Sequence, residues 1–380
     1  VRSMSGLRIL FVLRAPLGGL FRQVIDLVRC LGSEHQIGIV ADSMTGGPRA
    51  LEVFEELAPL CTLGIHRMPM HRNPHVTDIA NIRAIARLAR DLKVDVMHGH
   101  GSKGGLYARA GGVFGNSGPV RAYTPHGGSF NYQPGTLLHK AYMLIESVLE
   151  RGTDVFTFES RFIAGRFEAY VGATDKLTRV ALNGLYPHEY EPRVLVDTPT
   201  DFVFIGELRA AKGIDLLLQA LHRLHGEGRS VTTTIIGGGP DEAMLKAMIS
   251  DLGIADHTFF TGPMIGAEGI RRGRIMVVPS RAESLPYIVL EAVGAQVPLV
   301  TTDCGGIPEI VGSNYRWMVP SGQLEPLLDT MRTALDTSED ALQDQSRRLA
   351  DQARPVFNVR KMADDVVAAY RAALDRRAGA

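Results

Sequence analysis

Cysteine is scarce in this sequence. Cys30, Cys61 and Cys304 are scattered and odd in number, with no CxxC pair or metal-ligand spacing. That argues against a disulfide scaffold or a zinc site and points to a reducing cytosol, so a cytoplasmic protein is expected. Charge of one sign is also lacking. Lys plus Arg number 41 and Asp plus Glu 41, so no global field would draw nucleic acid. No apolar run approaches the ~18 residues needed to cross a bilayer. Ile9–Leu13 is too short for a signal core and reads as a first strand. Low-complexity segments and short repeats are absent. Val1-Arg2-Ser3, ahead of Met4, is set aside from fold reasoning. What remains is ordinary for a globular protein: 380 residues, 45% hydrophobic and 22% charged, enough for two domains without metal or disulfide support.

Short apolar runs alternate with helical patterns. In the first half the predicted strands are 8–13, 36–41, 94–98, 120–123 and 154–157, with helices over 21–31, 79–92 and 137–150. After Thr198-Pro199 the rhythm restarts. Strands fall at 201–205, 232–236, 258–260, 275–278 and 299–301, and helices at 214–224, 241–252 and 286–295. Such alternation means parallel sheets with helices on both faces. The fold class is therefore α/β, two Rossmann-like domains facing a cleft. Their expected limits are 1–185 and 200–355, with a linker in 186–199. A last helix over 357–376, with Met362, Val366, Val367, Tyr370 and Leu374 at helical spacing, is a plain terminal helix or one that crosses back to the first domain.

In open parallel sheets, ligands bind at the carboxyl ends of strands, and the candidate residues cluster there. Arg209 and Lys212 follow strand 201–205 and precede a helix, which makes an anion site; the alternative is a solvated turn. Glu283 follows strand 275–278 and Glu291 stands eight positions on. Ser284 is the predicted N-cap, with Pro286 in the first turn. On a helix such carboxylates would lie ~80° and ~12 Å apart, which suits an extended polar ligand held at two places or two solvated acids on an ordinary helix. Pro286 has no N–H, so Tyr287 and Ile288 are the amide donors. Gly18-Gly19 follow the first strand, where glycine lets backbone approach a ligand or simply makes a tight turn. His126, in Thr-Pro-His-Gly-Gly, follows strand 120–123; a lone histidine there is either structural or functional.

The pattern Glu-Ser-x-Pro-x-x-x-Leu-Glu-Ala at 283–292, followed by Gly305-Gly306-Ile307-Pro308-Glu309, resembles retaining glycosyltransferases of the GT-B fold, in the large family 4. Phe202–Gly213, Thr234–Pro240 and Phe259–Gly262 resemble that family's other strand ends. The likeness is dense from Phe202 to Gly312 and thinner at Gly18-Gly19, His126-Gly127 and Asn183-Gly184.

The resemblance implies transfer from a nucleoside-diphosphate sugar to a glycan or lipid-linked acceptor, in polysaccharide synthesis, with no metal and no cofactor. It implies Lys212, Arg209 and the amides of Tyr287 and Ile288 on the diphosphate, and Glu291 on the ribose hydroxyls. Glu283 takes the sugar end. His126 takes the donor sugar or the acceptor pocket, and Gly18-Gly19 the donor phosphate or acceptor. The family places an arginine directly after the first glycine of its phosphate loop; here that position is Glu207, and the arginine is Arg209.

Residues 96–145 contain no Asp or Glu, while Lys103, Arg109, Arg121 and Lys140 fall among them. This predicts a positive wall for a phosphate-bearing acceptor, the alternative being scattered surface cations. Arg83, Arg87 and Arg90 could add a basic face touching an anionic membrane, or a solvated helix face. Two other activities share parts of the pattern. Gly99-x-Gly-x-x-Gly matches an NAD fingerprint, but no acid stands ~20 residues on, as that site requires. A GT-B nucleotide-sugar epimerase shares the fold but not the two-glutamate cassette. A non-catalytic sugar-nucleotide binder would have no need of intact Lys212, Glu283 and Glu291.

Overall fold

The computed structural model describes residues 6–115 and 118–379, so Val1-Arg2-Ser3 lies outside the described residues. The chain divides into two compact units, 1–183 with 359–380, and 184–358.

In the first unit the strands are β1 (Arg8–Leu13), β2 (Gln36–Asp42), β3 (Gly64–Met68), β4 (Val96–His100), β5 (Val120–Thr124), β6 (Val155–Phe158) and β7 (Leu177–Val180). They form one sheet in the order β3-β2-β1-β4-β5-β6-β7, every pairing parallel. The helices are α1 (Gly18–Leu31), α2 (Gly47–Leu57), α3 (Thr77–Asp91), α4 (Gly101–Arg109), α5 (Leu137–Glu150) and α6 (Arg161–Tyr170). Ile9, Leu10, Phe11, Val12 and Leu13 of β1 are all fully buried, as a central strand covered on both faces must be.

The second unit repeats the plan with β8 (Thr200–Ile205), β9 (Thr233–Ile236), β10 (Thr258–Gly262), β11 (Gly273–Val278), β12 (Leu299–Thr302) and β13 (Met318–Val319). Their order is β10-β9-β8-β11-β12-β13, again parallel throughout. Its helices are α7 (Ile214–Gly226), α8 (Glu242–Asp251), α9 (Gly266–Gly269), α10 (Tyr287–Gly294), α11 (Ile307–Val311), α12 (Leu324–Asp336) and α13 (Glu339–Ala353). The final helix, α14 (Val359–Ala378), returns to the first unit and packs on α1 and β7. Its buried face includes Met362, Val366, Val367 and Tyr370.

In each sheet the strand order reverses at one place, between β1 and β4 in the first and between β8 and β11 in the second. These are the switch points where adjacent loops leave in opposite directions and open a crevice. The segment 186–199, expected as a linker, packs into the second unit: Arg193 donates to the carbonyls of Gly273 and Arg274, both at 2.6 Å. Three strands had no counterpart in the sequence reading: β3, β7 and β13. The first two are edge strands of partly exposed or mixed residues, Gly-Ile-His-Arg-Met and Leu-Thr-Arg-Val. The third has two residues.

The glycines of the Gly99-x-Gly-x-x-Gly motif serve packing. A Cβ on Gly104 would come within 2.2 Å of the Val12 carbonyl oxygen, and one on Gly99 within 2.6 Å of the Gly104 carbonyl oxygen. They let α4 lie directly on β1 and β4.

Candidate active site

The second unit's switch point brings Lys212 and Glu283 together. Lys212 ends a short 3-10 turn, Ala210–Lys212, after β8, and Glu283 lies in the loop after the neighbouring β11. Lys212 Nζ donates to Glu283 Oε1 at 2.6 Å, and Ser280 Oγ donates to the same oxygen at 2.7 Å. Both partners are largely withdrawn from solvent, their side chains 17% and 8% exposed. The two loops are also stitched by backbone: Arg281 N–H donates to the Ala211 carbonyl at 2.8 Å. Arg281 forks onto Asp215 at the start of α7, at 2.6 and 2.7 Å. Gly213 turns the chain between Lys212 and α7 at φ +68°, and a Cβ there would sit 1.9 Å from the Pro279 carbonyl oxygen. Only glycine lets these loops approach so closely.

The remaining second-unit candidates surround this pair. Pro286, at φ −72° and ψ 122°, is the N-cap of α10, and Tyr287 is its first helical residue. This corrects the expectation that Ser284 caps the helix with Pro286 inside it. The extended backbone at Pro286 delays the first turn, and the Ser284 carbonyl instead accepts from Gly306 N–H at 2.6 Å. The helical ladder opens with Val289 and Leu290 donating to the Pro286 carbonyl. Tyr287 and Ile288 therefore precede it, at the positive end of the helix dipole. Glu291, half-buried, is the fifth residue of α10, and a Cβ on Gly266 would come within 2.5 Å of its Oε2. Gly305, at φ +64°, presses on Glu283, since a Cβ there would meet the Glu283 carbonyl oxygen at 2.2 Å. Arg209 is not gathered into the group. Its Nε pairs with Glu207 Oε2 at 3.0 Å, both side chains about half exposed. The glutamate standing at the family's arginine position thus engages the neighbouring arginine.

The first unit's switch point holds the other candidates. Gly18 opens α1 at φ +61° with nothing within 4 Å of where a Cβ would be, so conformation rather than crowding calls for glycine. Gly19 follows in the first turn. His126 adopts φ +53°, followed by Gly127 at +72° and Gly128 at +42°. Glu159, at the end of β6, accepts from Gly127 N–H at 2.8 Å and fixes this turn.

His126 Nε2 lies 2.9 Å from His100 Nδ1. His98, two residues earlier on β4, hydrogen-bonds Tyr370 of α14 at 2.6 Å and Thr124 at 2.8 Å. Burial keeps all three imidazoles neutral. His98 and His126 are each pushed down to about 3, and His100 well below its ordinary value. His100 Nε2 is buried and has no hydrogen-bond partner among the described residues. A neutral imidazole carries one N–H and one lone pair, and an unpartnered buried N–H costs more than an unpartnered lone pair. His100 therefore donates from Nδ1 to His126 Nε2, and His126 carries its own N–H on Nδ1. Sequence reasoning missed His100 as His126's partner and Ser280 as Glu283's. The alternation His98-Gly99-His100 along one strand was the available signal for the first.

The predicted positive wall over 96–145 is not formed as expected. Lys103 pairs with Asp78, Arg109 with Glu146 at 2.8 Å, and Arg121 is buried beside Asp154. Acids from outside that stretch neutralise these three cations, while Lys140 stays exposed. Among the described residues no group of three or more His, Cys, Asp or Glu is arranged to hold a metal, and no helix is long and apolar enough to cross a membrane.

Comparison with known proteins agrees with this architecture. Residues 18–183 match the glycosyl transferase 4-like domain, and residues 189–355 match glycosyl transferases group 1. A GDP-mannose-dependent alpha-(1-6)-phosphatidylinositol monomannoside mannosyltransferase of Mycobacterium tuberculosis is 30% identical over 201 residues, 47% of this chain and 52% of that protein. A D-inositol 3-phosphate glycosyltransferase of Mycobacteroides abscessus is 34% identical over 137 residues, 34% of this chain and 30% of that protein. These matches thus span about half the length of the curated relatives, or less. Among solved structures, Anabaena HepE in complex with UDP superposes with a TM-score of 0.76 at 16% identity, covering 96% of this chain and 100% of that one. Sucrose-phosphate synthase from Thermosynechococcus elongatus does so at 0.79 and 14%, covering 97% and 100%. With two parallel-sheet units of GT-B type and both domain models matched in order, the chain belongs to the group 1, family 4-like glycosyltransferases.

Proposed function

We propose that this chain is a metal-independent, retaining hexosyltransferase that moves a sugar from a nucleoside-diphosphate sugar to a glycan or lipid-linked acceptor. The observation that carries the reading is the Lys212–Glu283 pair at the second switch point, beside the start of α10. A fixed ammonium and the positive end of a helix dipole can balance the charge that grows on a departing diphosphate. That is the task a divalent ion performs in other sites, which favours metal independence and no cofactor. The donor's phosphate takes up Lys212, and Glu283 turns its charge toward the sugar, accepting from hydroxyls and offsetting positive charge at the anomeric carbon. Glu291 accepts from the ribose hydroxyls in the space that Gly266, lacking a Cβ, leaves open. Arg209 joins the diphosphate only by leaving Glu207.

In the transfer, the acceptor oxygen bonds to the anomeric carbon on the face from which the phosphate oxygen departs. The carbon–phosphate-oxygen bond breaks, and the acceptor's proton passes to that oxygen. Retention follows from attack on the same face. Gly18, Gly19 and His126, whose Nδ1–H is an uncharged donor, serve the acceptor or the sugar end. The mycobacterial relative's dependence on GDP-mannose supports a hexosyl donor.

The test is nucleoside-diphosphate release from candidate donors, with and without acceptor. Release should depend on acceptor and survive EDTA. Loss in EDTA that magnesium or manganese restores would refute metal independence. A Lys212→Ala variant within about twofold of wild type, a change of under ~0.5 kcal/mol, would remove the phosphate role.

A further inference from the structure

The charges around the second switch point cancel in pairs. Lys212 meets Glu283, Arg209 meets Glu207, and Arg281 forks onto Asp215. On α8, which follows β9, Lys246 pairs with Glu242. Asp241, just before α8, and Glu291 on α10 are further acids. Among the described residues of these loops, no cation stands without a carboxylate beside it. One of the pairs is built differently from the rest. Leu208, between Glu207 and Arg209, is fully buried. Its N–H donates to the Gly238 carbonyl and its carbonyl accepts from Asp241 N–H, both at 3.0 Å. Arg209 is extended, at φ −148° and ψ 157°, and in extended chain residues two apart project to the same side. Pinned at Leu208, the loop therefore sends Glu207 and Arg209 out together. They meet at 3.0 Å with side chains 54% and 44% exposed. So exposed a pair is weak and opens to a competing anion. Wherever Arg209 reaches a phosphate, the Glu207 carboxylate stands beside it.

We infer that Glu207 makes the site discriminate against its own product and so speeds release of the nucleoside diphosphate. This rests on the reading that the diphosphate lies on Lys212 and Arg209. In the donor each phosphate is esterified, and the diphosphate carries about two negative charges. Transfer breaks the bond to the anomeric carbon and leaves a terminal phosphate holding the acceptor's proton. That proton dissociates near pH 6, so at pH 7.5 the product carries about three negative charges. Glu207 repels the added charge, which the donor lacks. For charges several ångströms apart in a half-exposed loop, Coulomb's law makes that a preference of roughly threefold to tenfold for donor over product. Glu283 repels the product as well, but it also serves the sugar. Glu207 has no other task in the transfer, and being exposed it can be changed without disturbing the core.

The test is calorimetry on the full chain with GDP against GDP-mannose and UDP against UDP-glucose, taking the pair that binds more tightly. EDTA is present so that no metal ion screens the phosphates, and acceptor is left out. At pH 7.5, Glu207→Gln should tighten the diphosphate roughly threefold to tenfold more than it tightens the donor. At pH 5.5 the terminal phosphate regains its proton, and that difference should vanish. Taking the ratio of product to donor cancels any general loss of binding in acid. Arg209→Ala should weaken both ligands, and product inhibition of turnover should deepen in Glu207→Gln. Equal tightening of product and donor in Glu207→Gln would overturn the inference, since the glutamate would then only occupy Arg209. An unchanged diphosphate affinity, or a difference that persists at pH 5.5, would overturn it too. Lys212→Ala separates the two levels. If it leaves both affinities unchanged, the diphosphate reading itself is lost; if it weakens them while Glu207→Gln shifts both ligands equally, the inference about Glu207 fails alone.

Discussion

At the scale of single residues, the Lys212–Glu283 contact makes a prediction that separates binding from folding. Without donor, Glu283 is the counter-charge that a mostly buried ammonium needs. Breaking a buried pair by removing one partner costs about 3–5 kcal/mol when burial is complete. Lys212 retains some exposure and Ser280 remains, so Glu283→Gln should cost less, about 1–3 kcal/mol. A bound diphosphate supplies the missing charge. Thermal melts should therefore show Glu283→Gln destabilised alone and restored further than wild type by saturating nucleoside diphosphate. Equal shifts in both proteins would mean that the phosphate does not reach Lys212. His100 allows a second test. Asparagine places an amide N–H close to where Nδ1 stands, so His100→Asn should keep His126 in its Nδ1–H form. His100→Leu removes that donor and should lower kcat by about tenfold or more, the low end of a positioned proton donor's contribution. Nitrogen NMR of His126 checks the tautomer directly, and the same tautomer in both variants would dismiss the role of His100.

At the scale of elements, two glycines separate conformational strain from crowding. Gly18 and Gly213 share nearly the same backbone, φ +61° and +68°, yet Gly18 has open space and Gly213 abuts the Pro279 carbonyl. Gly18→Ala should cost about 1–2 kcal/mol, the price of left-handed backbone for an alanine. Gly213→Ala must in addition push apart the loops after β8 and β11, so it should destabilise the protein more and weaken nucleotide binding. Denaturant melts with parallel calorimetry check both, and equal stability losses would mean that the loops yield freely. The same junction shows what the sequence made legible. Central strands such as β1 and β11 read as unbroken apolar runs because both faces are covered. The edge strands β3 and β7 lack that run and passed unseen. Lys212 and Glu283 were each legible as candidates from their places after strands. Their direct contact was not, because it spans 71 residues and arises only when β8 pairs with β11. His98 and His100 of β4 fall in the acid-free stretch 96–145. Burial, which composition does not record, makes them neutral.

At the scale of the whole molecule, titratable groups are distributed unequally between the units, and this fixes how the protein should fail in acid. His35, His98, His100 and His126 are all held below their ordinary value chiefly by burial, and all lie in the first unit. The second unit's histidines, at 188, 222, 225 and 257, are not buried. A histidine whose folded value is depressed binds fewer protons when folded than when unfolded. Stability then rises with pH across the interval between the two values. The contribution is complete above about 6.5, the unfolded value, and is lost as pH falls toward the folded values, which reach about 3 for His98 and His126. Acidification from pH 7.5 to 5 should therefore weaken the first unit more than the second. The chain carries its own reporter, since the single tryptophan, Trp317, is buried in the second unit's core. Trp317 fluorescence follows that unit alone, whereas far-ultraviolet circular dichroism follows both. On acidification the dichroism melt should develop an early component while the fluorescence midpoint moves less. In His98→Gln, which removes one titrating ring and keeps a polar contact, the early component should shift less with pH. If the two signals fall together at every pH, the units unfold as one and the acid sensitivity does not belong to the histidines of the first.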